Sequence, residues 1–101
     1  MGRFDVHRSR YSSGPRLLLD VQADLLAELR TRLIIPLVPA NAAFKRVTRL
    51  HPLVVVEGRP TVLVTDLMAA IDRRRLGDTV MSLETRRHEI GAAIDFLLQG
   101  F

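Results

Sequence analysis

The sequence predicts a mainly β fold followed by a C-terminal α-helix, and three observations predict it. Residues 49–66, RLHPLVVVEGRPTVLVTD, hold two β-rich runs, LVVV and TVLV, around the turn chemistry of Glu57-Gly58-Arg59-Pro60. Leu83, Ile90, Ile94, Leu97 and Phe101 recur at helical spacing. The earlier apolar runs are short and are separated by Ser, Gly and Pro, as in a sheet of short antiparallel strands.

In chain order, Phe4 and Val6 begin a short strand, and SRYSSGPR is a loop. LLLDVQ (17–22) is a short apolar run, and ADLLAEL after it is open between one helical turn and an exposed loop. TRLIIPLVPA (31–40) has strand-like content. Pro36 and Pro39 lack the donor of a central ladder, so an interrupted strand at an edge or bulge is expected. The hairpin of 49–66 follows. LMAAIDRRRLGDTV is ambiguous in period, and propensity alone favours helix. Ser82 is a candidate cap for the last helix, with Glu84 in the first turn, where the helix dipole favours an acid. Gly91 inside that helix costs about 1 kcal/mol relative to Ala, which suggests close approach by another backbone.

At 101 residues the chain is expected to be one domain, residues 1–101. No stretch approaches the roughly 18 consecutive apolar residues of a membrane span, so no membrane association is expected. MGRFDVHRSRY has no apolar signal core, and Val6 stands where myristoylation requires Ser or Thr, so a cytoplasmic location is expected. The absence of cysteine excludes disulfides, thiolate metal sites and cysteine nucleophiles. A net charge of +4, carried almost wholly by arginine, favours acidic partners.

A search for chemistry yields little. His7, His51 and His88 show no short metal spacing, and a structural role is the better expectation for each. Asp20, Asp24, Asp66 and Asp72 read as solvated or capping carboxylates. No phosphate-cradling glycine loop, nucleophile elbow or zinc helix is present, so neither a catalytic residue, a metal nor a cofactor is expected. Arg73-Arg74-Arg75 suits phosphates but reads first as a solvated face, and direct nucleic-acid binding is not expected. The oddity is apolar: Leu25 and Leu26 beside acids, and a tail of Leu97, Leu98 and Phe101. Burying such a side chain is worth about 1.5–3 kcal/mol, so these residues are expected to find cover at home, in a dimer or in a partner, with Leu97 in the core.

FDVHR, LLLDVQADLL, TRLIIPL, RLHPLVVVEG, TDLMAAI, LGDTVMSLETRRHEI and AAIDFLLQGF, taken in order, resemble the CcdB family of toxins nearly end to end. The most specific pieces are LDVQADLL, TRLIIPL and the Asp-Phe-Leu-Leu-x-Gly-Phe run at 95–101. The resemblance implies an SH3-like β-barrel of the CcdB/MazF type with a small added sheet and a long C-terminal helix, assembled as a two-fold homodimer. It also implies that TDLMAAIDRRRL contains a strand rather than a helix.

By the same resemblance the chain is the toxin of a bacterial toxin-antitoxin module of the plasmid-maintenance kind, an inhibitor rather than an enzyme. It is expected to trap DNA gyrase on cleaved DNA through the gyrase A subunit. A cognate antitoxin with a disordered C-terminal segment is expected to neutralise it, and an acidic segment would suit the basic chain. The implied gyrase-binding residues are His88, Ala92, Asp95, Gln99, Gly100 and Phe101, joined by Leu25 and Leu26. Gyrase-poisoning members carry Trp where this chain has Gln99, which removes a large rigid anchor. Two alternatives follow: a protein of this fold that no longer poisons gyrase and serves as an antitoxin-binding or regulatory partner, or a MazF-like RNA-cleaving toxin. Asp95, near the negative end of the helix, is expected to pair with an arginine of a partner subunit.

Overall fold

The computed structural model describes residues 2–41 and 44–100. Strands β1 (Asp5–Ser9), β2 (Leu17–Asp20), β3 (Thr31–Pro39), β4 (Leu53–Val56), β5 (Arg59–Leu63), β6 (Ala69–Asp72) and β7 (Leu76–Ser82) precede one helix, α1 (Arg87–Gln99). All pairings among them are antiparallel. The order across the sheet is β4-β5-β3-β2-β1-β7, with β6 also on β3, giving a curled half-barrel that is open between β4 and β7 among the described residues.

Strand β3 organises this sheet, which corrects the expectation of an interrupted edge strand. It runs unbroken for nine residues. One edge pairs with β2; the other pairs with β6 over Thr31–Ile34 and with β5 over Leu37–Pro39. Pro36 sits where the partner changes. Its carbonyl accepts the Val64 N–H at 2.9 Å on that changing edge. A residue's N–H and C=O point to the same edge of a strand, so the missing donor falls in the gap between β5 and β6 and costs no ladder bond.

The hairpin of β4 and β5 is tighter than the sequence suggested. Val56 pairs with Arg59, so the turn is only Glu57-Gly58, both with positive φ (52° and 76°) as a two-residue hairpin turn requires. Residues 69–72 are strand, as the resemblance implied and as propensity did not. They cross from the 3₁₀ turn Thr65–Leu67 to a second turn, Arg73–Arg75, and their backbone is taken up by β3.

The sheet has an apolar cluster on each face. Val6, Leu19, Ile35, Leu37, Val54, Val56 and Leu63 meet Leu83 and Ile90 in the larger one, so the helix is seated by the same side chains that close the concave face. Leu18, Ile34 and Leu76 form the smaller one, with Ile71 against it. Beside this second cluster lies a buried ion pair. Arg32 Nε and Nη2 donate to Asp20 Oδ2 at 2.9 and 2.6 Å, and Asp20 Oδ1 accepts the Gln22 N–H at 3.0 Å. Both side chains are at most 1% exposed, so Asp20 is not the solvated or capping carboxylate that was expected. Gly77 meets a different demand: where β1 and β7 shift register, a Cβ there would lie 2.8 Å from the Arg8 carbonyl.

Candidate functional site

The last helix is built to be held on one side and open on the other. After β7, the Ser82 hydroxyl accepts the Glu84 N–H at 3.1 Å and starts the 3₁₀ turn Glu84–Arg86; α1 itself then begins at Arg87 with no side-chain cap. Arg86 anchors this start, donating to the Leu53 carbonyl of β4 at 3.0 Å and pairing with Glu89. Ile90 and Ala93 are buried, and Arg49 covers the Phe96 ring with its guanidinium carbon 4.4 Å from the centroid. Gly100 ends the helix in the left-handed conformation, its N–H donating to the Phe96 carbonyl at 2.9 Å.

The opposite side carries His88, Ala92, Asp95 and Gln99, all exposed. At 100° per residue they fall within about 60° of one another, so they form a single stripe along the helix. Leu98 flanks it and is 69% exposed. Leu97 is 36% exposed, which corrects the expectation that it is core. Gly91, on the flank of Leu98, has no described residue within 4 Å of where a Cβ would stand, so the close approach expected there is not made by any described residue. Asp95 forms no ion pair with any described residue. Phe101 lies outside the described residues.

Leu25 and Leu26 lie on a separate feature, the exposed 3₁₀ turn Asp24–Leu26. The turn is fixed by its polar neighbours: Asp24 Oδ1 accepts the Arg3 N–H at 2.8 Å, and Gln22 Nε2 donates to the Leu26 carbonyl at 3.0 Å. Leu25 is left 96% exposed. No hydrogen bond among the described residues joins this turn to α1, so the structure gathers the helix residues into one stripe and leaves the leucines on their own loop.

The histidines sort by their bonds. His51 Nδ1 accepts the Val47 N–H at 2.9 Å while Nε2 faces Asp66 Oδ1 at 2.7 Å, so Nε2 carries the proton and both nitrogens are engaged in holding the 44–51 loop. His7 is buried, with Nδ1 3.1 Å from the Gly77 carbonyl. His88 is exposed on the stripe. Among the described residues no three His, Asp or Glu side chains converge as metal ligands, and no helix is long and apolar enough to cross a membrane.

Sequence reasoning missed a groove of about 440 Å³ on the far side of the hairpin, lined by Arg8, Arg16, Val38, Glu57, Arg59 and Thr61 among others. Arg8 pairs with Glu57 across it at 2.8 Å. The Thr61 hydroxyl donates to the Arg59 carbonyl at 3.0 Å. Its residues come from β1, the loop after it, the start of β2, the end of β3 and the β4–β5 hairpin, and no local spacing announces them.

A family model for the CcdB protein matches residues 3–100. Among solved structures, a mycobacterial endoribonuclease in complex with its cognate antitoxin superposes with a TM-score of 0.79 at 16% identity, covering 97% of this chain and 94% of that one. The Mycobacterium tuberculosis toxin MazF-mt6 superposes with a TM-score of 0.76 at 15% identity, covering 93% and 95%. At such identities the likeness is one of fold.

Proposed function

The chain belongs to the CcdB family, toxins of toxin-antitoxin systems, and from that membership we propose that it binds the gyrase A subunit and holds gyrase on cleaved DNA. The observation that carries this reading is the uncovered stripe of His88, Ala92, Asp95 and Gln99 on a helix whose other side is firmly seated. Gly100 and Phe101 extend the stripe in sequence, and Leu25 and Leu26 offer a second apolar contact. Exposed leucines that gain about 1.5–3 kcal/mol each on burial support a protein that works by being covered. A two-fold homodimer would double the surface, with Asp95 paired to an arginine of the partner subunit. The cognate antitoxin would neutralise it with a disordered, acidic C-terminal segment.

Gln99 favours a different partner balance, because Gln offers less apolar area than the Trp of gyrase-poisoning members. If the chain has become an antitoxin-binding protein only, Gln99→Trp should create gyrase inhibition that the native protein lacks. The groove of Arg8, Arg16, Arg59 and Thr61 supports an RNA-cleaving reading, since three guanidiniums there suit a phosphodiester and similar folds include endoribonucleases. One assay separates these readings. Purified protein is added to supercoiling reactions and, in parallel, to a mixed RNA. Arrested supercoiling with accumulated cleaved DNA and intact RNA is the expected result. RNA cleavage abolished by Arg16→Ala, with supercoiling untouched, would replace the gyrase reading with the nuclease one.

A further inference from the structure

Three adjoining hollows surround the turn Arg73–Arg75, at the end of β7 remote from the helix. One, of about 270 Å³, is lined by Arg30, Asp72, Arg73 and Arg74. The middle one, of about 430 Å³, is lined by Arg10, Ala27, Arg32, Arg73, Arg74 and Leu76. The third, of about 530 Å³, is lined by Arg10, Tyr11, Asp72, Arg74 and Arg75. A 3₁₀ turn has three residues per turn, so successive side chains leave it about 120° apart, and one short run of arginine serves all three hollows.

The middle hollow brings four arginines together with no carboxylate in its lining. Two of the four have their charge balanced: Arg74 by Asp72 at 2.8 Å, and Arg32 by the buried Asp20. The other two are held only by neutral carbonyls, Arg73 by Ala27 and Arg10 by Arg74, each at 3.3 Å. Arg32 lies buried beneath them. Its Nε and Nη2 are taken by Asp20, while Nη1 makes no hydrogen bond to a described residue. Arg32 itself borders the hollow from below.

We infer that this hollow is a binding site for a phosphate group. Two uncompensated guanidiniums at its wall call for about two negative charges in a small volume. A phosphate monoester carries about −1.5 to −2 at neutral pH, whereas a carboxylate carries one. Planar guanidinium forks match phosphate oxygens in pairs, and the buried Arg32, held in place by Asp20, forms the fixed floor beneath the two exposed guanidiniums. The site is separate from the helix stripe, because β7 places about seven residues, roughly 20 Å of strand, between Arg75 and the start of the last helical segment. The phosphate has three candidate sources: the free ion, a mononucleotide, or a nucleic-acid strand, whose backbone diesters carry one charge each and so would balance the two cations only with neighbouring phosphates in the flanking hollows. The last would run against the expectation from sequence of no direct nucleic-acid contact.

Calorimetric titration of the full chain at fixed ionic strength tests the site, with inorganic phosphate, adenosine monophosphate and a short single-stranded oligonucleotide as separate arms and polyglutamate as the charge control. The expected result is binding that Arg73→Gln and Arg10→Gln each weaken about tenfold while Arg87→Gln, on the helix, leaves it unchanged. All three arginines are exposed, so the variants should keep the native thermal midpoint. The arm that binds most tightly identifies the source. Failure of all three phosphate arms to bind, equal binding by the wall and helix variants, or displacement of phosphate by polyglutamate at equal charge would overturn the inference.

Discussion

Arg32 and Asp20 show how much one pair of residues can decide. Each charge is buried, and each is tolerable only because of the other, so Arg32→Met should cost about 3–5 kcal/mol in urea unfolding by stranding the carboxylate. The double variant Arg32→Met with Asp20→Leu should recover most of that loss; if it is no more stable than Arg32→Met alone, the pair is not what the site depends on. Gly91→Ala carries the opposite sign. A Cβ there meets no described residue, and the change should stabilise the chain by about 1 kcal/mol. At Asp72, the Arg74 side chain and backbone N–H hold the carboxyl down at about 2. A depressed folded value means a stabilising contribution that is present above the ordinary 3.8 and is lost as pH falls through about 2. Carbon NMR titration should show that low midpoint in the native chain and a return toward 3.8 in Arg74→Ala. Of the three, Asp72 was legible as a capping carboxylate, since it accepts the Arg74 N–H at the start of the Arg73–Arg75 turn, and the other two were not legible as roles. Asp20 finds Arg32 only through the pairing of β2 with β3, and the space around Gly91 is decided by how the whole helix sits.

Elements were more legible, and the exceptions have physical causes. The hairpin of β4 and β5 and the last helix followed from period and turn chemistry. The 69–72 segment did not, since AAID is a good helix sequence that becomes strand only because the first half of β3 offers it an open edge. Pro36 misled in the other direction: a proline in a central strand argues against that strand unless its blank edge falls in a gap, which sequence cannot display. The turn Asp24–Leu26 is the element whose solvent face matters most. With Leu25 almost wholly exposed, Leu25→Ser should change stability by no more than about 0.5 kcal/mol while weakening partner binding. A large loss of stability in thermal unfolding would mean that the leucine packs at home.

At the scale of the whole molecule, the curled sheet keeps three surfaces apart: the helix stripe, the groove beneath the hairpin, and the arginine hollows around residues 73–75. The stripe was readable because His88, Ala92, Asp95 and Gln99 share one helix and one period. The groove and the hollows were not, because their residues are brought together from distant strands and loops. Family membership is established by the match over residues 3–100, and action on gyrase through the helix stripe is the claim built on it. Its most direct test is equilibrium binding of the purified protein to a fragment of the gyrase A subunit, native chain against Ala92→Arg. Ala92 is exposed, so the long charged side chain should leave the unfolding midpoint unchanged and weaken binding at least about tenfold. Equal binding by both forms, or none by the native chain, would contradict the account.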